Sequence, residues 1–486
     1  MNTQKSISRR NFIATSGAAL AGSALVSPLS EARAASNSAS INQTSKLKLA
    51  MVGTGSRGTG MWGRNVLQRY PDRVEYVGLC DINPGRVEAA KQLLRVDCPT
   101  FSNLQNPMAA FEKMVQETKP ELLVVTTVDC FHDEYIVRGM QLGLNVLTEK
   151  PMATDEKKIQ RIIDAEKSSG KTTRVTFNYR YSPYRAKMWE LIRAGEIGDL
   201  VSVDFNYYLD TRHGADYFRR WHGLVDKGGS LWVHKASHHF DLLGWWIDSE
   251  PESVYALGGL EYYGKNGTFR GTNCRNCEHT AKCQFFWQMD RPMTAFQLEA
   301  AGMNPNTRPP NTSRMLYIDN EHHDGYYRDG CVYRENIDIF DKMAATIKYA
   351  NGVQVAYSLT TYSPYEGYRI AFNGTKGRID AWIEESNPVI QDKNFNEIVM
   401  FKSFGRRQYF HVPSGAGHGG GDALLLDQIF VPGTPDPFKQ CAGSRDGAFS
   451  CLVGIAARKS IASGQVVKIA DLTSLKPQAQ KEYVRI

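Results

Sequence analysis

Residues 228–246, GGSLWVHKASHHFDLLGWW, gather histidines, a lysine and an aspartate into one apolar, helix-like stretch. His234 and His238 are four apart and Asp241 follows three later, so in a helix all three share a face. Three chemistries suit such a set. Two histidines and a carboxylate on successive turns are potential zinc ligands. A histidine with a lysine can take the hydroxyl proton and steady the alkoxide while hydride leaves a carbinol carbon. The same groups can also satisfy one another in a core. The zinc reading is weakened because the stretch lacks the H-E-x-x-H pattern and Lys235 adds positive charge among the ligands. Histidine, with an ordinary pKa of roughly 6.5, suits the base, and lysine the alkoxide. Asp241 is placed to orient the His238 ring, or to stabilise the helix.

Two neighbouring stretches would supply a substrate site. TRHGADYFRRWHG, ahead of the histidines, interleaves Arg219 and Trp221 with further rings and charges. That mixture suits a polyhydroxylated ligand, with rings on sugar faces and charges on hydroxyls; the alternative is a surface loop. GAGHGGGD places His418 in a glycine run before the apolar ALLLDQIF. Such a run either closes over a site or only starts a helix.

The elements that must position these groups begin at KLKLAMVGTGSRGTGMW, an apolar strand, a glycine turn and an amphipathic helix. Gly53, Gly55 and Gly58 stand in G-x-G-x-x-G spacing, with Ser56 and Arg57 between the last two. Such a turn brings backbone close to a pyrophosphate at a helix N-terminus. The next strand, VEYVGLCD, ends in Asp81, about 20 residues on, where a carboxylate bonds a ribose 2′-hydroxyl and repels a 2′-phosphate. NAD is therefore expected before NADP, although Arg57 lies nearby. Strand and helix then alternate: ELLVVTT, a helix over 132–143, LNVLTEKP, a helix over 155–169, and RVTFNYR. Near-continuous apolar strands in β-α-β order predict a parallel, doubly wound sheet with helices on both faces. Ligands of such sheets bind beyond the strands' carboxyl ends, where His132, Glu149, Lys150, Arg180 and Tyr181 fall.

The whole chain sets bounds on these readings. Its 486 residues, 42% hydrophobic and 22% charged, are ordinary globular composition and enough for two domains. The net charge is +7, and Lys5, Arg9, Arg10 and Arg33 against Glu31 put part of it in the first 34 residues. The remainder has no basic run and no basic helix with interleaved aromatics, so neither nucleic acid nor an anionic membrane is expected as partner. Residues 1–34 read as an export signal: Arg9-Arg10 before Asn11-Phe12-Ile13, a mild apolar run, then Ala32-Arg33-Ala34 at a cut. That pattern resembles a twin-arginine signal, whose machinery would carry the folded protein to the periplasm or beyond. With no cysteine after the run, no lipid anchor is expected, and the run is too short and too rich in Gly and Ser to span a membrane. Residues 35–45 form a polar linker.

The glycine turn, TTVDCFH, EKPMA, NYRYSP and GGSLWVHKASHHFDLL occur in an order that resembles the Gfo/Idh/MocA family of sugar and inositol dehydrogenases. The likeness covers most of residues 46–300 and returns at SGQVVKIADL. It implies a dinucleotide-binding domain, here 46–178, and a second α/β domain, 179–486, with an open, mostly antiparallel sheet that often makes an oligomer contact. It implies that Lys150 bridges nicotinamide ribose and substrate hydroxyl, and that His238 accepts the proton. The family usually carries aspartate four residues before that histidine, where this chain has His234 followed by Lys235. Acid–base work is thus the preferred reading of the opening stretch, with His238 ahead of His234.

Nine cysteines include four that stand apart, Cys274, Cys277, Cys283 and Cys331, in a polar insertion over about 270–335. C-x-x-C is half of a structural zinc site, and in an oxidising compartment the same four would make two disulfides. An iron–sulfur cluster or free thiols are further alternatives.

Export and a dinucleotide site together require a cofactor bound before export and regenerated within each cycle. The expected activity is oxidation of a secondary hydroxyl of a sugar or glycoside. Redox-neutral glycoside cleavage through a transient ketone, and a non-catalytic sugar-binding protein, are the alternatives.

Overall fold

The computed structural model describes residues 45–289, 311–386, 395–413 and 415–484. The export signal over 1–34 and nearly all of the 35–45 linker lie outside them.

The apolar runs of the first half form six strands: β1 (Leu47–Val52), β2 (Val74–Cys80), β3 (Thr100–Phe101), β4 (Leu122–Val125), β5 (Asn145–Thr148) and β6 (Thr173–Val175). All pair in parallel, in the order β3-β2-β1-β4-β5-β6. β1, β4 and β5 are buried on both faces over most of their length because helices cover both. Pro84–Leu94, Pro107–Thr118, His132–Gln141 and Glu156–Ser169 run between the strands. Three of these helices start on an Asn or Asp whose side chain accepts a backbone N–H: Asn83 from Arg86, Asn106 from Ala109 and Asp155 from Lys158. Strand order reverses between β1 and β4, and that crevice is where a doubly wound sheet binds its ligand.

The second sheet has nine strands: β7 (Leu200–Asp210), β8 (Pro251–Gly259), β9 (Lys342–Tyr349), β10 (Gln354–Ser363), β11 (Glu366–Gly374), β12 (Gly377–Ser386), β13 (Phe395–Lys402), β14 (Gln408–Pro413) and β15 (Val467–Lys468). Their order is β14-β13-β12-β11-β7-β10-β9-β8-β15. The β7–β10 pair is parallel and the others antiparallel. Alternation is clean in β9, where every second residue is buried and the rest face solvent. Helices Ser237–Ile247 and Ser444–Ser463 lie on the inner side and pack on each other, the second also against β8. The expected fold class, a doubly wound parallel domain with an open-sheet α/β domain, is what the structure has.

The chain returns to the first sheet near its end. Val175 donates its N–H to the Ala442 carbonyl at 3.0 Å, and Arg174 forms a bridge with Gly443. Among the described residues no helix is long and apolar enough to cross a membrane.

Candidate active site

The crevice is built from three carboxyl-end loops of the parallel sheet and the helix pair of the opening stretch. After β1, Gly53 sits at φ +90°, and a Cβ there would lie 2.5 Å from the Thr126 carbonyl carbon. At Gly58 a Cβ would meet the Gly53 oxygen at 2.4 Å. Only glycine permits that approach of turn to strand. Asp81, just past β2, accepts the Thr54 N–H (2.7 Å) and hydroxyl (3.1 Å) on one oxygen. Its other oxygen takes the Asn83 N–H (3.0 Å) and Arg86 (3.1 Å). Arg57 turns away from Asp81 and donates to Glu149 at 2.7 Å, where Trp62 also donates at 2.8 Å. A glycine-bearing turn, a carboxylate at the end of the second strand and a helix-like segment opening at Gly58 fit the pyrophosphate and ribose of a dinucleotide.

The opening stretch is two helices, Leu231–His234 and Ser237–Ile247, where one was expected. The Ala236 N–H reaches back five residues to the Leu231 carbonyl at 2.9 Å, so the ladder loosens between them. That break separates the three residues. His234 and His238 face the crevice, while Asp241 points inward.

Lys150, after β5, donates from Nζ to the His234 carbonyl at 3.0 Å. Burial pulls its ammonium down to about 8, against the upward pull of Asp129 and Glu149. Asp129, from the turn after β4, sets a carboxylate oxygen 2.5 Å from Nδ1 of His234. Burial raises Asp129 well above the usual carboxylate range, with Lys150 opposing. Burial, with Lys150 and Arg220 nearby, holds His234 well below the ordinary histidine value. His238 stacks on Tyr179, 4.1 Å between ring centroids and 12° between planes. Its Nδ1 is buried with no hydrogen-bond partner among the described residues. Burial, then Lys150 and Lys235, keep this ring neutral. The ring is thus neutral, with one nitrogen unspent on the protein.

Lys235 lies behind them, donating to Glu366 at 3.2 Å and to the Tyr179 hydroxyl at 3.3 Å. Burial opposes its charge, but Tyr179 and Glu366 hold its pKa well above the lysine norm. Trp221 stacks on His222 at 3.5 Å, and His222 lies 4.2 Å from the His234 ring. His418, at the glycine run, bonds Asp422 at 2.9 Å and leans on Tyr179 at 5.7 Å between centroids. The run thus reaches the wall of the crevice through Tyr179. Asp210, His213 and Glu366 also stand close, their ligand-type atoms within 4.8 Å of one another.

Other sequence candidates sit elsewhere. Arg180 and Asp241 are spent on each other, at 2.8 and 2.5 Å, in a fully enclosed network with Asp446. His132 has a ring nitrogen 2.8 Å from the Pro151 carbonyl and the other 3.2 Å from that of Thr127, joining the loops after β4 and β5. The Tyr181 hydroxyl bonds Gln428 and Arg174. Arg219 donates to the Cys274 sulfur at 2.9 Å and to the Phe285 carbonyl at 2.7 Å, inside the insertion. Cys274, Cys277, Cys283 and Cys331 line one small cavity with Arg219, Phe269 and Phe285.

Asp129, Tyr179 and Glu366 were not anticipated as site residues. Asp129 lies in TTVDCFH, but its partner is 105 residues away, and no local spacing connects them.

Residues 47–177 match the family described as "Oxidoreductase family, NAD-binding Rossmann fold", and 189–469 its "C-terminal alpha/beta domain". YteT of Bacillus subtilis (strain 168), named for an oxidoreductase, is 36% identical over 439 residues, 87% of this chain and 98% of that protein. Inositol 2-dehydrogenase/D-chiro-inositol 3-dehydrogenase of Lactiplantibacillus plantarum is 26% identical over 208 residues, 43% of this chain and 54% of that one. Levoglucosan dehydrogenase, solved with NADH and levoglucosan, shares the fold at a TM-score of 0.57 and 18% identity, over 87% of this chain and 99% of that one. The turn, the lysine after β5 and the histidines over the crevice thus stand in a chain that belongs to the Gfo/Idh/MocA family of NAD(P)-dependent oxidoreductases acting on CH–OH groups.

Proposed function

We propose that this oxidoreductase takes hydride from the carbon that bears a secondary hydroxyl of a sugar or glycoside onto tightly held NAD. The observation that carries the reading is the convergence of Lys150, neutral His238 with its unspent Nδ1, and the Asp129–His234 pair at the β4 and β5 ends. A bound nicotinamide ring would supply the hydride acceptor. His238 accepts the hydroxyl proton, Lys150 steadies the developing alkoxide, and Asp129 fixes the ring of His234 beside them. The carboxylate that the family usually carries on the histidine helix is in this reading delivered from the loop after β4. Trp221 and His222 offer ring faces to the sugar. NAD is favoured over NADP because Arg57 is committed to Glu149, and Arg86 is held between Asp81 and Asp324.

In this reading the protein is exported with its cofactor by the twin-arginine route, as Arg9-Arg10 suggests, and regenerates it within the cycle. Denaturing protein purified without added nucleotide should release about one NAD or NADH per chain, measured by mass spectrometry; a chain that is empty and takes up neither would refute the reading.

Two structural roles complete it. The four thiols close on a structural zinc, which elemental analysis would find at one ion per chain; two disulfides would instead leave none of the four to react with a thiol reagent. The outer face of the second sheet exposes Tyr255 and Leu257 on β8, Phe401 on β13 and Tyr409 on β14, and supports a homo-oligomer built on that face. Light scattering would report the oligomer.

A further inference from the structure

The cysteine-bearing insertion does not lie apart from the dinucleotide crevice. Its returning arm, helix Thr312–Leu316, the turn Ile318–Asn320 and the short helix Glu321–Asp324, rests on the β1–β2 side of the parallel sheet. The contacts fall on the residues that a dinucleotide would use. The Ser56 N–H, in the glycine turn, donates to the Tyr317 hydroxyl at 2.8 Å, with the Ser56 hydroxyl 3.0 Å from the same oxygen. A Cβ on Gly55 would have that oxygen as its near neighbour, at 3.1 Å. Around Asp81, Arg86 donates to the Leu316 carbonyl at 3.1 Å and pairs with Asp324 at 2.6 Å. Asn83 donates to the Asn320 carbonyl at 2.8 Å. Leu316 and Tyr317 are buried with Ala89 and Ala90 of the helix after β2.

The arm is anchored at its far end. Arg275, beside Cys274, pairs with Glu321 at 2.7 Å and with Asp329 at 2.9 Å. Two guanidinium groups flank the Tyr317 ring, Arg328 at 4.5 Å and Arg86 at 5.4 Å from its centroid. A phenol oxygen on the N–H of a phosphate-binding turn, with two cations beside its ring, occupies a place suited to an anionic oxygen.

We propose that Thr312–Asp324 is a third wall of the dinucleotide site, with Tyr317 a contact for the pyrophosphate and Asp324 holding Arg86 at the ribose corner. The inference rests on the NAD reading above and adds the element that retains the cofactor. The dinucleotide then leaves only when this wall lifts, and its release is slow for a reason that neither domain alone supplies. A second carboxylate beside Arg86 also raises the electrostatic cost of a 2′-phosphate there.

The test measures NADH dissociation from the full mature chain by fluorescence after mixing with excess NAD. Wild type, Tyr317→Phe and Asp324→Asn are compared, with thermal melts to confirm that each folds. The wall predicts release about tenfold faster in Tyr317→Phe, the scale of one lost hydrogen bond to a charged group. It predicts faster release in Asp324→Asn as well, so the proposal stays testable if either variant fails to fold. Unchanged release in both variants would overturn the wall while leaving dinucleotide binding intact. Slower release in Tyr317→Phe would overturn it too, making the hydroxyl a competitor of the pyrophosphate. A wild-type chain that binds neither NAD nor NADH would instead remove the reading on which the wall rests.

Discussion

In the proposed reading, Lys150 and His238 divide the proton work by their surroundings. Burial lowers both, but the lysine stays protonated up to about 8 while the histidine is neutral through the whole neutral range. The site needs a charged lysine and an uncharged histidine, so kcat/KM should be level from about pH 6.5 to 8 and fall as Lys150 loses its proton above about 8. A pH–rate profile checks this, and a rise through pH 8 would make Lys150 the base. Lys150→Met should lower kcat by about 10²–10⁴ with the fold intact, read as turnover alongside a melting curve. The lysine and both histidines were legible in the sequence because short motifs carry them. Asp129 and Glu366 were not, since each acquires its meaning from a partner more than a hundred residues away, which only folding supplies. Asp241 shows the converse. Helical spacing put it on the histidine face, and Arg180, a buried charge requiring a carboxylate, drew it inward.

At the scale of elements, the parallel sheet followed from the sequence almost strand for strand. Buried β-α-β units write their pattern locally, in apolar runs with Asn and Asp caps. The histidine stretch reads as one helix because no Gly or Pro interrupts residues 231–243, and the five-residue backbone bond at Ala236 that splits it leaves no mark in composition. The glycine turn can be tested by one methyl group. Gly53→Ala combines a strained φ with a 2.5 Å clash, and should cost at least about 2 kcal/mol in chemical denaturation and weaken NADH binding in a titration. An unchanged affinity would mean that the turn does not approach the cofactor. The insertion was legible as a cysteine cluster, but not as a wall of the site. Tyr317 meets Ser56 across 261 residues of sequence.

At the scale of the whole molecule, burial lowers five histidines: His132, His222, His234, His238 and His239. His222, His238 and His239 are all held well below the ordinary value, first by burial and then by nearby positive or imidazole groups. Unfolded, each takes up a proton below about pH 6.5; folded, each resists. Stability from these groups is therefore fully present above about 6.5 and is lost as pH falls towards their folded values, by up to about 1.4 kcal/mol per pH unit for each. Melting temperature should drop between pH 7 and 5, and replacing His239 with Gln should shrink that drop. The central claim concerns the crevice between the two sheets, and it is tested most directly by hydride transfer itself. The chain, loaded with NAD and given no second carbonyl substrate, would be mixed with a glycoside deuterated at a secondary carbinol carbon, and the dinucleotide recovered by denaturation within the first turnover for mass spectrometry. The account predicts deuterium in the recovered NADH for wild type and little for Lys150→Met and His238→Ala. Undeuterated NAD from the wild-type chain with every sugar and glycoside tried would contradict it.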